Sequence, residues 1–99
     1  MAKDASGSLA TDEARLLLEA HQQLMLGETL EALRLLKEHE RRFPASSMQQ
    51  EREAVVIVAN CAQGTLGEAR KLWQVFAKRW LNSPFGARIR AACHWDPPP

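Results

Sequence analysis

One pattern occurs twice in this chain. Gly27-x-x-x-Glu31-Ala32 followed ten residues later by Phe43-Pro44-x-Ser46 returns, 37 residues on, as Gly64-x-x-x-Glu68-Ala69 and Trp80-Leu81-x-Ser83. A period of this length that carries a glycine turn within it specifies a repeated helix–turn–helix, a unit that cannot bury its apolar face alone and so stacks with its neighbours. The expected fold is therefore all-α, a right-handed solenoid of two helical hairpins closed by a C-terminal capping helix, five helices in total. Repeat one covers 11–46, repeat two 47–83 and the capping helix 84–95. A flexible tail over 1–10 and a proline-rich tail over 96–99 flank them.

Helical periodicity sets the expected inward faces. The first helix, from about Thr11 to Leu26, carries Ala14, Leu17, Leu18, His21, Leu24 and Met25. The second, Glu28 to Arg42, turns Leu30, Leu33, Leu36 and Phe43 inward, with acids at its start and arginines at its end to match the helix dipole. Ser47-Met48-Gln49-Gln50 reads as a capping box opening the third helix, and Thr65-Leu66-Gly67-Glu68 as another opening the fourth. The run Val55-Val56-Ile57-Val58 would suit a short buried strand, but its helical flanks and the lack of a pairing strand favour a buried helix. The fourth helix buries Ala69, Leu72, Trp73, Val75, Phe76 and Trp80. Ser83-Pro84 starts the last helix, with Phe85, Ile89, Ala92 and Cys93 on one side and Arg88 and Arg90 on the other.

These spacings resemble the tetratricopeptide repeat (TPR), which places glycine at the turn, alanine five residues later where two helices cross closely, and proline twelve residues after that. Gly27, Ala32 and Pro44 match, and Gly64 and Ala69 repeat the first two. The chain departs in its 37-residue period, in lacking Trp-x-x-Leu-Gly in either first helix, and in Leu81 standing where a second proline belongs. The longer period and the aromatic-x-x-Ser linkers are most similar to repeats of bacterial cell-envelope proteins, the periplasmic helical partner of the Tol-Pal system and the repeat lipoprotein of outer-membrane assembly. The resemblance implies a protein-binding scaffold with no catalytic residues to carry over.

Chemistry-bearing patterns are sparse. No nucleophile–base pair, phosphate loop or paired-carboxylate arrangement appears, and Gly64-x-x-Gly67 reads as a hairpin turn. His21, His39 and His94 with Cys61 and Cys93 lack zinc-ligand spacing. No catalytic, metal or cofactor residue is therefore assigned. His39 and His94 are expected at the surface. Cys61 and Cys93 are expected as two buried thiols, because aligning the third and fifth helices by the repeat offsets them by about 7–8 Å along the axis, beyond disulfide reach.

The formal net charge of +1 argues against a strongly nucleic-acid- or membrane-binding chain. Residues 1–50 hold six Lys/Arg against eight Asp/Glu, and residues 51–99 hold seven against four, so the halves differ in sign. Ordinary surface scatter accounts for this, with head-to-tail stacking or an acidic partner as the sharper alternative. The leading function is binding of a peptide or protein on a concave face built by the first helices, with Gln22, Gln23, Arg52, Asn60 and Arg88 as contacts and Trp95 as an interface anchor. Packing of Trp95 onto the cap is the alternative for that residue. A homo-oligomerisation domain is the second reading. Nucleic-acid contact through Arg70, Lys71, Lys78, Arg79, Arg88 and Arg90 is the third. No secretory signal or membrane span is present, so the chain reads as cytoplasmic as it stands, or periplasmic if it is excised from a longer envelope protein.

Overall fold

The structure, a computed structural model, describes residues 5–95, with side chains from Asp12 onward. It contains five helices and no strand among these residues: α1 (Ala5–Met25), α2 (Thr29–Arg42), α3 (Gln49–Gln63), α4 (Leu66–Arg79) and α5 (Gly86–Ala92). The chain divides into two compact units, parting between Gln49 and Gln50. α1 begins at Ala5, inside the segment expected to be a tail. Residues 1–4 and the proline tail 96–99 lie outside the described residues.

In the first unit, α1 and α2 form an antiparallel-type hairpin around Gly27. Gly27 has φ +82°, and the amides of Gly27 and Glu28 return to the carbonyls of Leu24 and Gln23 at 3.0 and 2.8 Å. This is the left-handed helix stop that glycine adopts without a Cβ penalty. The buried set is Leu17 and Ala20 of α1 with Ala32, Leu35, Leu36 and His39 of α2. The α2 residues follow i, i+3, i+4, i+7, one stripe facing α1.

That stripe corrects several expectations. His39, expected at the surface, is fully buried, with its ring 5.6 Å from that of Phe43. Its place in the stripe, seven residues beyond Ala32, puts it inside. Conversely, Leu18, Met25 and Leu30 are exposed, as is Ala14. A pair of helices has one mutual face, and the apolar sets of α1 and α2 are wider than that face can cover.

The second unit holds α3, α4 and α5. The β-branched run of α3 is helical. Ala54, Ile57, Ala69, Phe76, Ile89 and Cys93 form its core, with Leu72, Trp73, Trp80, Phe85 and Trp95 packed against it. Val75, expected inside, is exposed. α3 ends as α1 does: Gly64 has φ +91°, and the amides of Gly64 and Thr65 return to Cys61 and Asn60. Thr65 precedes α4 but its hydroxyl makes no cap. It donates instead to the Asn60 side-chain oxygen at 2.7 Å, so the second capping box does not form.

Cys61 and Cys93 form a disulfide, with Cα atoms 5.4 Å apart. The expectation of two thiols assumed that α5 copies the length and course of α3. α5 is only seven residues against fifteen for α3, and Cys93 is its C-cap rather than a residue within a continuing helix. α5 closes with the same amide pattern, Trp95 to Arg90 and His94 to Ala91, but with His94 at φ +57° in the position glycine fills elsewhere.

Candidate functional site

The element that ends each hairpin is built the same way twice. At the end of α2 the amide of Phe43 bonds the His39 carbonyl, and at the end of α4 that of Trp80 bonds the Phe76 carbonyl, both at 2.8 Å. Three residues later comes a serine. The Ser46 hydroxyl accepts from the Met48 amide at 2.8 Å and donates to Glu13 of α1 at 2.7 Å. The Ser83 hydroxyl accepts from the Phe85 amide at 3.1 Å and donates to Gln50 of α3. Glu13 and Gln50 are themselves 37 positions apart, so the whole latch repeats. Ser46, not Ser47, therefore provides the cap ahead of α3.

The aromatic beside each latch differs, and its surroundings differ with it. The Arg42 guanidinium lies over the Phe43 ring at 5.1 Å, and that of Arg79 over Trp80 at 5.4 Å. Trp80 also brings an indole N–H, which donates to Glu53 at 3.0 Å, and Glu53 pairs with Arg79 at 3.1 Å. In the first unit Arg42 reaches Asp12, at 3.4 Å. The position equivalent to Glu53 is Leu16, so the acid that the second unit needs for its tryptophan is absent from the first, where phenylalanine needs none.

Four large apolar side chains of the first unit are exposed, on α1, in the turn after it and in the first turn of α2. Leu18 is 57% exposed, Met25 84%, Leu26 73% and Leu30 75%. Leu18, Met25 and Leu26 line an open groove with His21, Gln22 and Gln23. Grouped apolar exposure of this kind marks interaction surfaces. The second repeat does not reproduce it: Val55, equivalent to Leu18, is 4% exposed, and Met25, Leu26 and Leu30 become Ala62, Gln63 and Gly67. Periodicity reads such residues as core. The signal that would have singled them out is the exchange of large apolar side chains for small or polar ones between the two copies.

The six sequence-derived contact residues fall in both units. Gln22 and Gln23 line the first unit's groove. The other four belong to the second unit. Arg52 is buried. Asn60 is buried too, its amide donating to the Val56 carbonyl and its oxygen accepting from Thr65. Arg88 is exposed on α5. Trp95 is packed rather than presented: its ring lies 6.0 Å from that of Trp73, and the Arg70 guanidinium sits 4.8 Å above it.

Four of the six basic residues considered for nucleic acid lie over rings of their own unit: Arg70 on Trp95, Arg79 on Trp80, Arg88 on Phe85 and Arg90 on Trp73. On α2, Glu31 and Glu38 accept from Arg34 and Arg41, and these hydrogen bonds hold both carboxyls below the ordinary range. Among the described residues no group of three or more His, Cys, Asp or Glu side chains is placed to hold a metal, and no helix is long and apolar enough to cross a membrane.

Compared with known protein families, characterised proteins and solved structures, the chain matches none.

Proposed function

We propose that this chain is a non-enzymatic protein-interaction module of the TPR-like kind, whose two hairpins stack as a right-handed solenoid and which captures an apolar segment of a protein partner at the end of its first helix. The observation that carries the reading is the groove of Leu18, Met25 and Leu26 with Gln22 and Gln23 along it, in a unit that also exposes Leu30. Large apolar side chains give the affinity, and the two amides supply polar contacts that orient a peptide. The repeated turns at Gly27 and Gly64 and the fully buried Ala32 and Ala69 support the TPR-like assignment, since small residues at those places let paired helices approach closely.

The same surface supports a second reading, self-association, because every copy of the chain carries it. Site-specific photo-crosslinking tests both. A crosslinker at Leu26, with exposed Lys37 as the control position, is expected to capture a defined protein in the source cells, and Met25→Glu with Leu30→Glu is expected to abolish capture. Adducts only between copies, together with a mass that doubles in light scattering over a hundredfold concentration range, would establish self-association instead. Equal labelling from Leu26 and Lys37 would sink both.

A further inference from the structure

The short last helix makes few contacts of its own. At seven residues, α5 is well under the length that sustains an isolated helix in water. Its exposed side is Ala87, Arg88, Ala91 and Ala92, and its buried side is Gly86 and Ile89, with Cys93 at its end. Burial of a single isoleucine, flanked by half-buried Phe85 and Trp95, does not offset the ordering of seven backbone residues and the turn after them. The left-handed conformation of His94, at φ +57°, adds a further cost at its exit. The ring contact of Trp95 with Trp73 and the Arg70 guanidinium over Trp95 add weak ties, and the strongest single tie is the covalent bond from Cys93 to Cys61 on α3, 32 residues back in the chain.

We infer that α5 is a redox-dependent cap: docked on the second unit while the Cys61–Cys93 bond is intact, and released when that bond is reduced. The two cysteines are unequally exposed, Cys93 being 7% exposed and Cys61 half-buried near the end of α3. A dithiol reductant, small molecule or protein, therefore attacks at the Cys61 sulfur. Its thiolate forms a mixed disulfide there, and the electron pair of the broken S–S bond leaves on Cys93, which takes up a proton. The reductant's second thiolate then displaces Cys61, which is protonated in turn. Two electrons and two protons pass to the protein, and the reductant leaves as its own disulfide. Release of α5 withdraws Ile89 and Cys93 from the core that they share with Ala54, Ile57 and Phe76. In an oxidising compartment the cap stays closed.

The test uses the full chain prepared without reductant from an oxidising compartment. Alkylation of the denatured protein is expected to add nothing before reduction and two groups after it. Hydrogen exchange of the native protein is then compared with and without dithiothreitol. Amides of 86–95 are expected to exchange on the order of a hundredfold faster on reduction, while those of 29–42 keep their rates. The Cys61→Ser/Cys93→Ser variant is expected to exchange like the reduced protein without any reductant. Two alkylated cysteines before reduction would overturn the proposal. So would unchanged exchange over 86–95, or an equal acceleration throughout the chain, which would make the bond a global staple rather than a cap.

Discussion

The two units share their joints and differ in what fills them. Both stop the first helix at a left-handed glycine, end the second on an aromatic residue, and fasten the exit with a serine bonded to a side chain on the first helix. Their interiors diverge. The first packs aliphatic side chains around a buried histidine, and the second packs phenylalanine, tryptophans and a disulfide around a third helix. His39 and Phe76 occupy the same place in the repeat and are both buried. Backbone geometry is thus the repeated element, and a core position accepts quite different chemistry once its neighbours are adjusted, as Glu53 is for the indole of Trp80.

The largest effect is expected where the interiors diverge. Phe76→Ala removes the biggest fully buried side chain and is expected to cost about 3–5 kcal/mol in denaturant unfolding. Leu30→Ala, at a similarly apolar but exposed position of the first unit, should change stability by less than about 0.5 kcal/mol. Comparable losses would mean that Leu30 is covered in solution, and so would sharpen the case for self-association.

Effects at the joints should come in equal pairs. Gly27→Ala and Gly64→Ala place a Cβ in open space, with nothing within 4 Å, so only the positive φ opposes them. Each is expected to cost about 1–2 kcal/mol. Ser46→Ala and Ser83→Ala each remove a cap and should cost about 1 kcal/mol. A clear inequality within either pair, read from thermal or chemical melts, would show that the copies no longer use the joint alike.

The smallest effect belongs to the first unit's surface pairs. Glu31 and Glu38 titrate lower in the folded chain than in the unfolded one because Arg34 and Arg41 donate to them. Their contribution is therefore fully present above the unfolded carboxylate value of about 4.3 and is lost as pH falls through their lower folded values. Both pairs are solvent-exposed, so the loss is slight. Glu31→Gln/Glu38→Gln is expected to flatten the acid side of a stability–pH curve by lowering its neutral plateau slightly, while leaving stability below the folded carboxylate values unchanged.

Much of the backbone was legible because its signals are local. Gly27 and Gly64 announce two helix ends, and Phe43-Pro44 announces another. The β-branched run of α3 reads correctly as helix because no partner strand exists. Burial was less legible because periodicity tells which residues share a face, not whether anything covers it. That is why Leu18, Met25, Leu30 and Val75 read as core, and why His39 was set outside despite lying in register with Ala32 and Leu36. The disulfide was hidden because aligning the repeat gives only an offset along one axis, whereas the 5.4 Å between the cysteine Cα atoms depends on how α5 packs on α3, which no local signal reports. Of the interaction surface, Gln22 and Gln23 were visible as polar residues on an apolar helix, whereas the leucines beside them became visible only once the partner helix proved too narrow to cover them.

The serine latch carries a consequence for how such a chain can grow. Its acceptor, its aromatic neighbour and the serine itself, from Glu13 to Ser46 and from Gln50 to Ser83, each fit inside one 37-residue period. A tandem duplication of that length, starting within the three residues ahead of the acceptor or at the acceptor itself, would copy the fastening whole and leave the existing ones intact. Length is then a heritable variable that a single recombination event can change, with no new junction to be invented.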